Sequence, residues 1–405
     1  MIDALASIGV AVDVRDGGRT LAVAGRGQAS SGDSKGADEQ PLKELFIANS
    51  GTSIRFLAAA LSAAGGSFRL HGVDRMHQRP IGDLVKAVEP VIDGSILAMS
   101  PEGCPPVEIR SAGWKGREVQ VGGSVSSQYL SGLMMAAPIV LANQAEPGEV
   151  RIVVNGELVS RPYVDMTAEV MRSFGAVVEL RDNGLVDDQS LAVEVTGEGY
   201  RGIEYAIEPD ASAASYFWAA AAITGGKITV EGLHQHAMQG DVGFCDVLQK
   251  MGCDVQHHSD GITVTGKKLR GVDVDMNAIS DTVQTLSVVA LFADGPTRVR
   301  GVAHNRFKET DRIGDLACEL RKLGAQVQEH DDGMTITPPA ETKLHGATLQ
   351  TYHDHRMAMS LSLAGLRIPG VRILDPSCTS KTYPEFFRDL ELLIGRPHHW
   401  QSEAG

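Results

Sequence analysis

The stretch Asn49–Leu61, N-S-G-T-S-I-R-F-L-A-A-A-L, decides the fold, because the chain repeats its pattern. A polar run able to cap a helix is followed by small and apolar residues over a helical length. The pattern returns as S-S-Q-Y-L-S-G-L-M-M-A-A from Ser126, D-A-S-A-A-S-Y-F-W-A-A-A-A from Asp210, S-D-T-V-Q-T-L-S-V-V-A-L-F-A from Ser280 and H-D-H-R-M-A-M-S-L-S-L-A from His353. The period is 70 to 85 residues. After each such helix come a glycine, a short strand and a polar loop: R-M-H-Q-R-P from Arg75, S-R-P-Y from Ser160, N-R-F-K-E-T-D-R from Asn305 and S-K-T-Y-P from Ser380. A second helix then ends at a glycine in the left-handed C-cap position, Gly9, Gly175, Gly252 or Gly324, before an alternating strand.

This order of elements predicts an α/β protein of repeated helix–strand units whose helix N-termini carry the polar clusters. Helices packed side by side with their N-termini facing one way present N–H groups and positive dipole ends, a surface suited to anions. Residues 2 to 12 match only the second half of a unit, so the first repeat is expected to be incomplete. The boundary between two domains falls near Ile207. We expect a first domain over 1–207, a second over 208–395 and a loose tail over 396–405, with residues 28 to 41 forming a polar loop.

Composition narrows the function classes. A chain of 405 residues with 43% hydrophobic content suffices for two domains with sizeable cores. A formal charge of -14 and a pI near 5.4 argue against a general nucleic-acid or anionic-membrane binder. The five cysteines, Cys104, Cys245, Cys253, Cys318 and Cys378, are scattered without metal-ligand spacing, so neither a metal nor a disulfide framework is expected. No long apolar run and no basic leader are visible, and a soluble cytoplasmic protein is the expectation.

Candidate chemistry lies at equivalent points of the repeat. His304–Arg312, H-N-R-F-K-E-T-D-R, packs cations and carboxylates together; on a helix, Lys308 and Arg312 would share one face, with Glu309 close by for proton exchange. Gly51 permits close approach of a ligand to the backbone. Arg75 and Arg79 lie in the loop on the same edge. The run from Gly123 to Gln128 presents hydroxyls and an amide for capping or for phosphate, and Asp281 reads either as an N-cap or as a catalytic acid/base. His355 and Arg356 open a helix, and Lys381 sits in the last unit's loop. Each feature alone has a structural explanation; their recurrence at one place in the repeat favours a shared anion site.

In sequence order, N-S-G-T-x-x-R, R-M-x-x-R-P-I-G-x-L, S-S-Q-Y-L-S-G-L-x-M-A-A-P, S-x-P-Y-V-D-M-T, K-E-T-D-R-I, D-H-R-M-A-M and K-T-Y-P-E-F-F resemble the motifs of the EPSP synthase family, the 3-phosphoshikimate 1-carboxyvinyltransferases. The resemblance runs from Ile2 to about Gly395 and implies two similar domains, each of three repeats with parallel helices inside and sheets outside. It implies transfer of the enolpyruvyl group of phosphoenolpyruvate to the 5-hydroxyl of shikimate 3-phosphate, without cofactor or metal, by a monomer. It places Gly51, Arg79, Gln128, Arg312, Arg356 and Lys381 against phosphoenolpyruvate. Shikimate 3-phosphate falls to Ser126, Ser127, Gln128, Ser160, Asp281 and Lys308; His304 is a weaker substrate contact. Asp281 corresponds to the base that takes the hydroxyl proton, and Glu309, Lys308 and His355 are candidates for the second acid/base.

Some residues depart from the family pattern. The G-S-K-S-x-S-x-R run of the family's first repeat is missing, which agrees with the half-unit and leaves a non-catalytic anion-binding remnant as one alternative. Ala48 stands where glycine is usual, Phe56 where proline usually follows the arginine, and His304 where asparagine is common. Phe56 is expected to shift the Gly51 helix and with it the response to glyphosate, which competes for the phosphoenolpyruvate position. The nearest rival, the enolpyruvyl transferase acting on UDP-N-acetylglucosamine, needs a loop cysteine as acid; Cys104 in P-E-G-C-P-P is the candidate.

Overall fold

The computed structural model describes residues 1–25, 41–122, 126–143, 148–156, 158, 160–182 and 191–395. The expected polar loop up to residue 40, the Gly123–Val125 part of the hydroxyl-rich run and the expected tail lie outside them. The chain forms two compact units, Met1–Ala206 and Ile207–Gly405.

One plan recurs in both units. In the first, β3 (Lys43–Phe46), α2 (Gly51–Ala64) and β4 (Gly66–His71) make a parallel crossover, then α3 (Gly82–Val88) leads to the hairpin β5 (Ile92–Ser100) and β6 (Cys104–Trp114). The sheet order is β3-β4-β6-β5, with β3–β4 parallel and the other pairs antiparallel. The same plan follows in β7 (Glu118–Gly122), α4 (Ser127–Ala142), β8 (Glu149–Asn155), α5 (Arg161–Ser173), β9 (Val177–Asp182) and β10 (Leu191–Thr196), ordered β7-β8-β10-β9. Ahead of them, α1 (Ile2–Ser7) and the antiparallel pair β1 (Val12–Arg15) and β2 (Thr20–Val23) correspond to the second half of the plan.

The second unit holds α6 (Ala211–Thr224), β11 (Lys227–Glu231), α7 (Phe244–Lys250), β12 (Asp254–His257) and β13 (Gly261–Thr265) in a three-stranded sheet. A complete copy follows: β14 (Asp273–Asp275), α8 (Val283–Ala290), β15 (Thr297–Arg300), α9 (Gly314–Lys322), β16 (Gln326–His330) and β17 (Gly333–Thr337), ordered β14-β15-β17-β16. Last come β18 (Thr348–Leu349), α10 (His355–Ser362), β19 (Arg372–Ile373) and α11 (Phe386–Ile394).

Burial explains which helices turn inward. Every residue of α8 is buried, and α6 and α4 are buried over most of their surface, as their apolar, alanine-rich composition requires. Helices α5 and α9 bury only one stripe and cover the outside. The glycines that close the outer helices adopt the left-handed conformation, with φ of 85° at Gly9, 91° at Gly175, 112° at Gly252 and 100° at Gly324. Phe56 continues α2 without a break and would stand 3.6 Å from a side chain placed at Gly132 of α4.

Candidate functional site

In the first unit the residues gather where α2 and α4 begin. Ser50 caps α2 by accepting the Ser53 N–H at 3.2 Å, and Ser126 caps α4 by accepting the Gln128 N–H at 3.3 Å. The Gln128 side chain then ties the two helix starts together: its Nε2 donates to Thr52 Oγ1 at 3.0 Å, and its Oε1 accepts from Arg55 Nη1 at 2.5 Å. Arg55 is buried, also donates to the Pro80 carbonyl, and lies over the Tyr129 ring at 5.2 Å. Arg79 is buried as well and donates to Asn49 O at 2.9 Å and Asn49 Oδ1 at 3.2 Å.

Gly51 is required here by proximity. A Cβ at this position would stand 2.5 Å from Arg79 Nη2, so only glycine lets the guanidinium lie against the start of α2. A cation at a helix N-terminus opposes the dipole, an arrangement that an incoming anion would relieve. Ser127 is buried beside Gln128. Ser160, with φ of 55°, opens α5, which packs on α4 through the Ser131–Thr167 hydroxyl pair.

In the second unit the focus is Asp281. Its Oδ1 accepts from Lys308 Nζ at 3.0 Å and Arg312 Nη1 at 3.1 Å, and its Oδ2 accepts from Arg356 Nη2 at 2.9 Å. Arg312 also holds Asp354 through Nε at 2.7 Å and Glu309 through Nη2 at 2.8 Å, and Glu309 takes Lys381 Nζ at 2.6 Å. Lys308, Glu309, Arg312, Arg356 and Lys381 are thus one charge network with Asp281. Burial alone would raise the Asp281 pKa, but Arg356, Lys308 and Arg312 together outweigh it and hold the carboxyl well below its ordinary value.

Two local expectations are corrected. The K-E-T-D-R stretch is not helical: a 3₁₀ turn covers Ala303–Phe307, Lys308 is extended, and α9 starts only at Gly314, where Asp311 accepts the Ile313 and Gly314 N–H groups. Lys308 and Arg312 meet through Asp281 rather than through a helix face. Asp281 is not an N-cap either; it lies within the 3₁₀ segment Asn277–Thr282, and its side chain serves the cations. Asn305, fully buried, joins the two segments by donating to the Ser280 carbonyl at 3.0 Å and accepting the Arg312 N–H through its own carbonyl.

Burial pushes the His304 pKa down to about 4, helped by Lys308, and does the same at His355 despite the opposing pull of Asp354. Both imidazoles are therefore neutral near pH 7. Cys104 does not lie in an open loop: it starts β6, is buried, and its thiol pKa is raised by burial and by Glu102.

Sequence reasoning passed over three buried members of these groups. Asp354 reads as the cap of α10, which it is, yet the same carboxylate clamps Arg312. Arg55 was visible in the repeated motif, but nothing local announced its contact with Gln128. Asp241, in M-Q-G-D, gave no signal at all; burial and the nearby Asp281 raise its pKa to about 6, and the Ser212 hydroxyl donates to its Oδ2.

Among the described residues no group of three or more potential ligands could hold a metal ion, and no helix is long and apolar enough to cross a membrane. A family model described as EPSP synthase (3-phosphoshikimate 1-carboxyvinyltransferase) matches residues 1–390. The 3-phosphoshikimate 1-carboxyvinyltransferase of Erwinia tasmaniensis is 44% identical over 393 residues, covering 97% of this chain and 87% of that protein. The chloroplastic one of Brassica napus is 44% identical over 404 residues, covering 96% and 75%. A solved EPSP synthase from Acinetobacter baumannii superposes with a TM-score of 0.72 at 24% identity, over 96% of this chain and 86% of that one.

Proposed function

The chain belongs to the EPSP synthase family, and from that premise we propose that Asp281 is the base of its reaction and that the two groups of cations bind its two anionic substrates. The reaction transfers the enolpyruvyl group of phosphoenolpyruvate to the 5-hydroxyl of shikimate 3-phosphate and releases phosphate, a step of aromatic amino acid biosynthesis. The rival transfer to UDP-N-acetylglucosamine lacks support, since Cys104 is buried in a strand start.

The observation that carries the proposal is the convergence of Lys308 and Arg312, from one stretch of chain, and Arg356, from another, on one carboxylate. Each substrate bears a phosphate and a carboxylate, and charge-assisted hydrogen bonds of about 1.5–3 kcal/mol each offset their mutual repulsion. By the family's motifs, Gly51, Arg79, Gln128, Arg312, Arg356 and Lys381 are assigned to phosphoenolpyruvate. Ser126, Ser127, Gln128, Ser160, Asp281 and Lys308 are assigned to shikimate 3-phosphate, and His304 is a weaker substrate contact.

Addition needs the hydroxyl proton removed and a proton placed on the methylene carbon; elimination takes that carbon's proton back as phosphate leaves. Asp281 takes the first proton. Glu309 and Lys308 serve the second, whereas His355, neutral at working pH, acts by hydrogen bonding. We further assign the protein to the cytoplasm, as a monomer that binds no nucleic acid, in keeping with its net charge of -14.

The test is steady-state phosphate release with both substrates, for the chain and for Asp281→Asn. The expected result is a fall in kcat of about 10²–10⁴-fold, the usual share of a general base. A variant that keeps more than about a tenth of the parent kcat would remove Asp281 from that role.

A further inference from the structure

Glu319, on α9, is wholly buried and has no part in the chemistry derived above. Its carboxylate accepts from Lys322 Nζ at 2.7 and 2.8 Å, from the Gln350 backbone N–H at 3.0 Å and from the Tyr352 hydroxyl at 2.7 Å. A carboxylate without solvent requires such company, but the choice of donors is informative. Two of them belong to the short segment that runs from β18 to α10.

That segment is strained. Tyr352 and His353 have φ of 54° and 57°, left-handed values that side-chain-bearing residues avoid and that persist only where the surroundings impose them. Asp354 follows at once and does two jobs: its Oδ2 accepts from Arg312 Nε at 2.7 Å, and its Oδ1 accepts the Arg356 backbone N–H at 2.8 Å, seating the first turn of α10. Helix α9, which carries Glu319, starts two residues after Arg312. The chain entering α9 therefore carries the cation, while α9 itself holds, through Glu319, the segment that orients it.

We infer that Glu319 is a positioning residue for phosphoenolpyruvate binding: it holds Gln350–Asp354 in its left-handed path so that Asp354 aims Arg312 and seats Arg356. The inference rests on the assignment of Arg312 and Arg356 to phosphoenolpyruvate. A carboxylate serving only as ballast for the fold would change stability when altered, but would not single out one substrate's KM.

The experiment measures phosphate release and thermal unfolding for Glu319→Gln, Tyr352→Phe, the double variant and, as a reference, Arg356→Ala. Glutamine keeps the acceptor for Tyr352 but turns an amide toward Lys322 and the Gln350 N–H. Tyr352→Phe removes a single hydroxyl, so it folds even where Glu319→Gln does not. The expected result is a KM for phosphoenolpyruvate raised roughly tenfold in Glu319→Gln and about threefold in Tyr352→Phe. The KM for shikimate 3-phosphate should stay within about twofold, and the double variant should fall short of the product of the single effects. If Arg356→Ala raises the KM for phosphoenolpyruvate while both other single variants keep the parent value, Glu319 is structural only and the inference is overturned. If Arg356→Ala itself leaves that KM unchanged, the assignment of Arg356 fails and the inference falls with it.

Discussion

Replacing Gly51 by alanine adds one methyl group at the start of α2, and the geometry states what it displaces. The new Cβ would lie 2.5 Å from Arg79 Nη2, 2.9 Å from Cζ and 3.2 Å from Nη1. Restoring ordinary contact of about 3.4 Å requires the guanidinium to retreat by roughly 0.9 Å, a distance over which a hydrogen bond is lost. The obstacle is the end of a flexible side chain, so the backbone stays in place. Arg79 would surrender its bonds to Asn49 O at 2.9 Å and Oδ1 at 3.2 Å, and alanine regains up to about 1 kcal/mol of helix propensity. The fold should survive. The cation, however, no longer sits where a bound anion would meet it, and losing one charge-assisted hydrogen bond of about 1.5–3 kcal/mol raises a dissociation constant roughly 10- to 150-fold. Steady-state phosphate release should therefore show a KM for phosphoenolpyruvate raised by about that factor, with the KM for shikimate 3-phosphate changed less than about threefold. A parent-like KM for phosphoenolpyruvate in a variant with a parent-like melting transition would refute the placement of Arg79 on that substrate.

Two predictions concern acid stability, and their signs oppose. His304 and His355 have folded pKa values depressed from 6.5 to about 4, so their contribution is present above pH 6.5 and lost as the pH falls toward 4; the double variant His304→Asn/His355→Asn should show a flatter loss over that window in urea unfolding. Asp241 has a folded pKa raised from 3.8 to about 6, so its contribution is present below pH 3.8 and lost as the pH rises through 6. Asp241→Asn should gain stability relative to the parent between pH 4 and 6, and an unchanged difference across that range would contradict the buried position of this carboxyl.

The repeat was legible because it is written in local chemistry: caps at Ser50, Ser126 and Asp210, small-residue helices that bury all round, and the closing glycines of the outer helices. The site was legible as a set of residue types at equivalent points. Its geometry was not, because pairing across the unit depends on segments far apart in sequence. The helical reading of K-E-T-D-R had the correct i, i+4 spacing, but the Asp311 carboxylate accepts the Ile313 and Gly314 N–H groups and the helix starts only after it. Asp281 has the residue type of an N-cap and the surroundings of a counter-ion. The cations that converge on it decide between the two, and no local spacing encodes contacts between distant segments. Glu319 was invisible for the same reason, reading as one polar residue on an amphipathic helix until β18 and the segment after it cover it.

The resting charge network bears on the proposed role of Asp281 as the base. Held by three cations, it has little proton affinity, which is a poor starting point for accepting a hydroxyl proton. The partners differ in what they can give up. Arg312 and Asp354 expose 2% and 0% of their side chains and are doubly bonded, so separating them would strand a buried charge. Lys308, Arg356 and Lys381 retain 26%, 13% and 32% exposure, so these are the cations able to turn toward incoming phosphate and carboxylate groups. When Lys308 or Arg356 turns away, part of what depresses the Asp281 carboxyl is removed, and each arriving anion raises its proton affinity further. On this argument the substrates themselves suit Asp281 to the role proposed for it, and Arg312 meets phosphoenolpyruvate from a fixed position, keeping the carboxylate in place while the others move.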